Sequence, residues 1–253
     1  MYLWRRFAGQ QWLTENEEKL RTIASDGLAI IERLNRKRLQ LEIASTRRAE
    51  LENIPKQFGG KIEKLPRDWL KRSLGRKTKP LKVGTSHLTI PAGAAFGTGE
   101  HATTAMSLRL LEKLTRNWNS GWSTVDLGTG SGILALAAKL LGADHAIGID
   151  DDPTAISTAK HNARLNKVRD VTFRVADVRR WKLPAGVDIA TANLFSELLI
   201  QILPKLRSAR WLVLSGVLRL QERDLQRSLN RNKIEFVEVR RRGKWVAILA
   251  RSR

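Results

Sequence analysis

The 253-residue sequence contains no cysteine, a single tyrosine, two methionines and four histidines. Without cysteine there is no disulfide framework, no thiolate metal site and no cysteine nucleophile. The histidines, His87, His101, His145 and His161, never fall four residues apart. That spacing would set two imidazoles on one helix face, so no metal is expected. No apolar run approaches the roughly 18 to 20 residues needed to span a bilayer. Arg5 and Arg6 interrupt the start of the chain, which therefore holds no apolar leader core. The expectation is a soluble, cytoplasmic protein without membrane contact.

Acidic residues are also scarce. There are 25 Asp and Glu against 46 Lys and Arg, a net charge of +21. The excess lies in the flanks. Residues 1–90 hold 20 basic and 10 acidic side chains, residues 91–206 hold 13 and 11, and residues 207–253 hold 13 and 4. Such a field favours polyanionic surroundings, and electrostatic contact with rRNA is the expected consequence. At 42% hydrophobic residues the chain can still bury a core.

The first 65 residues alternate between strand and helix patterns. Tyr2–Gly9 reads as a strand and Thr14–Ser25 as a helix, with Thr14 as N-cap and Glu17 completing a capping box. Leu28–Arg33 and Arg38–Ser45 read as strands around a turn at Asn35-Arg36-Lys37. Thr46–Gln57 reads as a helix interrupted near its end by Pro55, and Lys61–Leu65 as a strand. The sum, βαββαβ, is the split βαβ pattern of a ferredoxin-like domain. Residues 66–90 read as a basic linker, and residues 91–253 as the second domain.

From Ser123 onward, short apolar runs alternate with helical stretches. The runs are Thr124–Leu127, Ala146–Ile149, Val171–Val175, Ile189–Asn193 and Trp211–Leu214. This is the signature of a doubly wound α/β sheet. The end differs: Glu235–Arg240 and Lys244–Ala250 flank a turn at Arg242-Gly243 and read as an antiparallel hairpin closing the sheet. A mostly parallel, Rossmann-like sheet finished in this way is the class I methyltransferase arrangement.

Four polar signals fall at the carboxyl ends of successive strands. Asp126-Leu127-Gly128-Thr129-Gly130-Ser131-Gly132 opens the helix Ile133–Leu141, and its G-x-G-x-G spacing lacks the extra residue of the dinucleotide fingerprint. Such a turn suits S-adenosylmethionine, which has no pyrophosphate to cradle. Asp126 is placed to accept from the cofactor's ammonium, and Gly128 and Gly130 let the backbone approach it. Asp150, 24 residues on, is placed to accept from ribose hydroxyls. Asp151, Asp152 and Pro153 suit the start of the next helix. Asp177 can accept from an adenine amino group. Asn193 ends the fourth run, where it borders the reacting centre and can orient an acceptor. Upstream, Thr103 or Thr104 can cap the helix Thr104–Leu114, and His101 is a candidate base.

The segment Ala95-Phe96-Gly97-Thr98-Gly99-Glu100-His101-Ala102-Thr103-Thr104 resembles the A-F-G-T-G-x-H-x-T-T motif of the PrmA-type methyltransferases. The likeness extends through Asp126–Ala135, Gly148–Pro153, Ala192–Leu194 and Leu214–Leu218 with Gln221, and covers residues 66–253. It implies a small substrate-recruiting domain, a linker and a catalytic domain. The implied activity is methylation of lysine ε-amines and an α-amine of large-subunit ribosomal protein eleven. Thr104, Gly128, Asp150 and Asn193 then become the implied cofactor positions. Two departures stand out: Thr129 occupies a position where cysteine is common, and the charge is +21 where members are typically acidic. Two rival readings remain: an RNA methyltransferase acting on rRNA or tRNA, and a non-catalytic ribosome-binding protein. Against the first, Asn193-Leu194-Phe195-Ser196 is not the N-P-P-Y pattern of base amino-group methylation.

Overall fold

The structure is a computed structural model that describes residues 2–24, 28–31, 38–45, 47–65, 80–91, 99 and 101–252. The chain divides into two compact units, residues 1–72 and 73–253.

The first unit contains β1 (Tyr2–Ala8), α1 (Gln10–Ala24), β2 (Leu28–Ile31), β3 (Leu39–Ser45), a 3-10 turn (Arg48–Glu50), α2 (Ile54–Phe58) and β4 (Lys61–Lys64). Its antiparallel sheet has the order β2-β3-β1-β4. This is the interleaved order of a split βαβ unit. Alternation along the strands sends Trp4, Leu41 and Ile43 into one core with Leu13 and Leu20 of α1 and with Ile54 and Phe58 of α2. Trp4 is fully buried, and its indole N–H donates to the Gly59 carbonyl at 2.8 Å.

Local signals misplaced two helix boundaries here. Thr14 does not cap α1. The helix starts one turn earlier, and the Thr14 hydroxyl donates to the Gln10 carbonyl. Burial of Leu13 and Leu20, seven residues apart on one face, outweighs the capping signal. The single helix expected over Thr46–Gln57 is instead the 3-10 turn followed by α2. Pro55 begins α2 rather than ending a longer helix, because its missing N–H costs nothing in a first turn. The expected turn at Asn35-Arg36-Lys37 lies outside the described residues.

The second unit opens with a hairpin of β5 (Leu81–Val83) and β6 (Ser86–Leu88). Residues 80–90 were expected to continue a basic linker. Instead Val83, Leu88 and Ile90 join the main core, since three apolar side chains outweigh the charge around them. Residues 66–79 of that expected linker lie outside the described residues. There follow α3 (Ala102–Thr115), β7 (Trp122–Leu127), α4 (Ile133–Leu140), β8 (Ala143–Asp150), α5 (Pro153–Leu165), β9 (Val171–Val175), β10 (Ile189–Asn193), α6 (Ser196–Leu206), β11 (Trp211–Leu218), α7 (Glu222–Arg231), β12 (Ile234–Arg242) and β13 (Trp245–Ser252).

The seven-stranded sheet runs β12-β13-β11-β10-β7-β8-β9. Strands β11, β10, β7, β8 and β9 are parallel, while β13 is antiparallel to both β11 and β12. This is the expected doubly wound sheet with its closing hairpin. Helices α3, α4 and α5 pack on one face, and α6 and α7 on the other, giving the two buried layers of an α/β sheet. From β7 the chain winds outward through β8 and β9, then returns to lay β10 on the other side of β7. The switch point of the sheet therefore lies between β7 and β10. Among the described residues no helix is long and apolar enough to cross a membrane.

The hairpin supplies a stability test. Leu88 is fully buried, so Leu88→Ala should destabilise the second unit by about 2–5 kcal/mol in urea unfolding. An unchanged midpoint would return this segment to the status of a solvated linker.

Candidate functional site

The site begins at the switch point. Parallel pairing aligns the ends of β11, β10, β7, β8 and β9, so Ser215, Asn193, the glycine turn, Asp150 and Asp177 follow one another along one rim. Four short polar signals separated by helices in sequence become one crevice because every strand points the same way.

Asp126 is the most constrained group in it. The residue is 1% exposed. Thr129 Oγ1 donates to one carboxylate oxygen and Thr191 Oγ1 to the other, each at 2.6 Å. The Ala135 amide, in the unpaired first turn of α4, donates as well. Burial pushes the carboxyl up to about 6, against the pull of the Thr129 and Thr191 hydroxyls, with Asp150 raising it further. Asp126 lies beneath the turn, tying β7, β10 and α4 together. Thr129, the departure from the family cysteine, supplies one of its donors.

Above it, Gly128 and Gly130 have φ of 69° and 52°. A Cβ at Gly128 would overlap the Leu194 side chain, so the residue after Asn193 rests on the turn. At Gly216, φ 88°, a Cβ would overlap the Leu194 carbonyl oxygen. The Leu194 amide donates to the Ser215 carbonyl at 3.0 Å. Leu194 is thus held between a glycine of the turn after β7 and one of β11.

Asp150 stands half-buried at the end of β8. It accepts from the Gly130 amide at 2.8 Å and from the Asp152 amide at 3.1 Å. Burial raises its pKa, and the two amides oppose that. Asp152 caps α5 by accepting from Thr154 N at 2.7 Å, as its place before Pro153 predicts. Asp177 lies one strand further along. The backbone amide and then the guanidinium of Arg179 hold its carboxyl below the usual range.

On the other side of the turn, Asn193 Nδ2 lies 3.4 Å from Thr104 Oγ1, and Asn193 Oδ1 accepts from Ser215 Oγ at 2.9 Å. Ser107 Oγ lies 2.6 Å from Ser215 Oγ. A hydroxyl has one proton to give. Ser107 Oγ also lies 3.1 Å from the Thr103 carbonyl, so the protons of Ser107 and Ser215 serve three contacts between them. This chain of hydroxyls fixes the plane of the Asn193 amide and joins α3 to the ends of β10 and β11. Ser107 escaped the sequence reading. Its signal was a small polar residue among Met106, Leu110 and Leu111, on the apolar face of a helix.

Neither Thr103 nor Thr104 caps α3. His101 does, its Nδ1 accepting from the Thr103 amide at 3.4 Å and lying 2.8 Å from Thr103 Oγ1. The ring also meets Trp245 edge to face, with centroids 5.1 Å apart. With Nδ1 accepting, the neutral ring carries its proton on Nε2, so this arrangement presents a donor rather than a base. Among the described residues no cluster of side chains has the makings of a metal site.

The half-buried Asp150 and the fixed Asn193 amide thus lie on either side of the glycine turn. The family described as ribosomal protein L11 methyltransferase (PrmA) matches residues 72–253. The chain belongs to this family. The ribosomal protein L11 methyltransferase of Pelobacter propionicus is 35% identical over 196 residues, which are 68% of this chain and 63% of that protein. The chain thus spans less than two thirds of that relative's length. The crystal structure of a ribosomal protein L11 methylase from Lactobacillus delbrueckii subsp. bulgaricus superposes with a TM-score of 0.61 at 26% identity, over 70% of this chain and 91% of that one. Magnesium protoporphyrin IX methyltransferase from Synechocystis PCC 6803 shares the fold alone, with a TM-score of 0.51 at 19% identity over 59% of this chain and 79% of that one.

The raised pKa of Asp126 has a definite sign. The folded protein keeps a proton that the unfolded chain releases near the ordinary value of 3.8. Its contribution to stability is therefore full below 3.8, falls as pH rises to about 6, and is flat above. Relative to Asp126→Asn, the wild type should lose about 3 kcal/mol across this window. Urea midpoints of both proteins measured through that range test this. Thr191→Val, which removes a donor to the carboxylate, should move the upper end of the window to higher pH.

Proposed function

We propose that the protein is an S-adenosylmethionine-dependent N-methyltransferase acting on lysine ε-amines, and an α-amine, of a ribosomal protein, namely large-subunit protein L11. The observation that carries this reading is the fixed Asn193 amide at the switch point, opposite Asp150 across the glycine turn. Family membership supports the named substrate. The Synechocystis enzyme, solved with S-adenosylmethionine bound, supports the fold's suitability for that cofactor.

The cofactor supplies an electrophilic methyl group on a sulfonium. The protein's part is to bind and align. Asp150 accepts from the ribose, Asp177 from the adenine, and the backbone at Gly128 and Gly130 lines the amino-acid end with Thr104. Asp126 holds that backbone from below. Asn193 orients the incoming amine, and His101 acts as a positioning residue by fixing the start of α3. A lysine amine has a pKa near 10.4 and attacks only when neutral. A crevice that strips water from it favours the neutral form. Most of the rate then comes from alignment rather than covalent work by the protein. Residues 1–65 are assigned to substrate recruitment, and the basic surface to contact with rRNA.

The test is methyl transfer from radiolabelled S-adenosylmethionine to purified L11. Asp150→Ala should weaken cofactor binding in calorimetry by about tenfold or more. Asn193→Ala should lower kcat by about a hundredfold, as loss of an aligning contact does, with a smaller effect on cofactor affinity. Label appearing in rRNA or tRNA instead of L11 would replace the protein acceptor by a nucleic acid. Failure to bind the cofactor at all would leave a non-catalytic binding protein.

A further inference from the structure

Outside the crevice, positive charge gathers along α3 and the edge strand β12. Arg109, Lys113 and Arg116 recur at helical spacing on the outer face of α3. Together with Glu112 and with Arg240 of β12 they line an open groove of about 330 Å³. Strand alternation sets Glu238, Arg240 and Arg242 on the same side of β12. Lys113 pairs with Glu238 at 2.6 Å, and Arg240 Nε lies 3.3 Å from the same carboxylate. No ion pair of Arg109, Arg116 or Arg242 occurs among the described residues. The opposite side of the strand differs: Arg241 is paired with Glu222 of α7, and Arg227 with Asp224. The α3 side sets Arg109, Lys113, Arg116, Arg240 and Arg242 against Glu112 and Glu238, while the α7 side sets Arg223, Arg227, Arg231 and Arg241 against Glu222 and Asp224.

The strip also has a direction. Arg109 to Arg116 covers roughly 10 Å of helix at 1.5 Å per residue. At its other end the β12–β13 turn carries Arg242 and Lys244. Lys244 lies over the Trp245 ring at 5.6 Å, and Trp245 meets His101 at the start of α3. The basic face therefore runs from the mouth of the crevice down the flank of the second unit.

We propose that this strip binds RNA through its phosphates. Guanidinium groups match phosphate oxygens in pairs, and a net charge of +21 steers polyanions to the surface. The groove is lined by charged side chains alone. A protein partner would need an apolar anchor at its centre. The lining also holds no aromatic ring for base stacking, so recognition falls on the backbone of structured RNA and is independent of sequence. The surface does not depend on which acceptor the enzyme methylates.

The experiment is fluorescence anisotropy of the full chain with a labelled RNA hairpin of about 20 nucleotides, across a salt series. The triple variant Arg109→Gln, Arg116→Gln, Arg242→Gln should bind about tenfold or more weakly, and the slope of log affinity against log salt should fall by about two to three. The variant Arg223→Gln, Arg227→Gln, Arg231→Gln removes the same charge from α7 and should bind nearly as the wild type does. Equal losses in both variants would overturn the proposal, because net charge alone would then explain binding. So would displacement of the hairpin by polyglutamate as readily as by unlabelled RNA. Binding is read without cofactor or L11, so failure of the methyltransferase reading and failure of the RNA surface are separate results.

Discussion

A buried carboxylate organises the crevice. Asp126 sits 1% exposed with both oxygens occupied by threonine hydroxyls. An unpartnered charge there would be prohibitively costly. The hydroxyls of Thr129 and Thr191 and the amide of Ala135 are therefore obligatory partners, and each belongs to a different element: the glycine turn, β10 and α4. Satisfying one carboxylate fixes where the turn leaves β7, where α4 begins, and how β10 lies alongside. Those relations define the switch point, and with it the place where a cofactor is expected to lie.

The second constraint is packing about Leu194. Its side chain occupies the space a Cβ would take at Gly128, and its backbone occupies that space at Gly216. A glycine of the turn after β7 and one of β11 thus close on one residue. The residue before it, Asn193, is held by a different device, the hydroxyl relay through Ser215 and Ser107. Steric closure and hydrogen bonding act on adjacent residues of one loop, which leaves the amide little freedom. An aligning group needs that restraint, since misplacement by an ångström is enough to erode the gain from orientation.

Much of this was legible in the sequence, for a physical reason. Parallel strands align their carboxyl ends, so residues that follow each apolar run must share a rim. Asp150, Asp177, Asn193 and the glycine turn came from that rule alone. What escaped were contacts made across the fold. Ser107 meets Ser215 over 108 residues and Thr191 meets Asp126 over 65, and no local pattern announces either. Asp126 itself was found, but its exposure was not. The same carboxylate at a strand end can face a ligand or sit beneath a turn, and only the packing of Thr129 and Thr191 decides. The hairpin at residues 80–90 failed for the opposite reason. The basic run just before it, Arg67 to Lys79, was conspicuous, while Val83, Leu88 and Ile90 were too few to register as a periodic core.

The charge distribution raises a physical question that the proposed activity must answer: a protein of net charge +21 would act on a cationic side chain. At long range the field opposes the encounter, though salt screens it beyond a Debye length of about 8 to 10 Å. At short range the same sign helps, because positive surroundings favour the neutral amine that attacks. The two effects separate if the cations are kept away from the crevice. They largely are: the rim from Ser215 to Asp177 presents hydroxyls, an amide, glycines and carboxylates, with Arg179 paired to Asp177 at its far end, while the α3 and β12 cations lie on the flank. RNA bound along that flank would remove most of the repulsion felt by an approaching ribosomal protein and leave the crevice chemistry unchanged. An acceptor already carried on RNA would then be favoured over the same protein free in solution. The difference arises from the rate of encounter, which a field controls, rather than from the chemical step, which the rim controls.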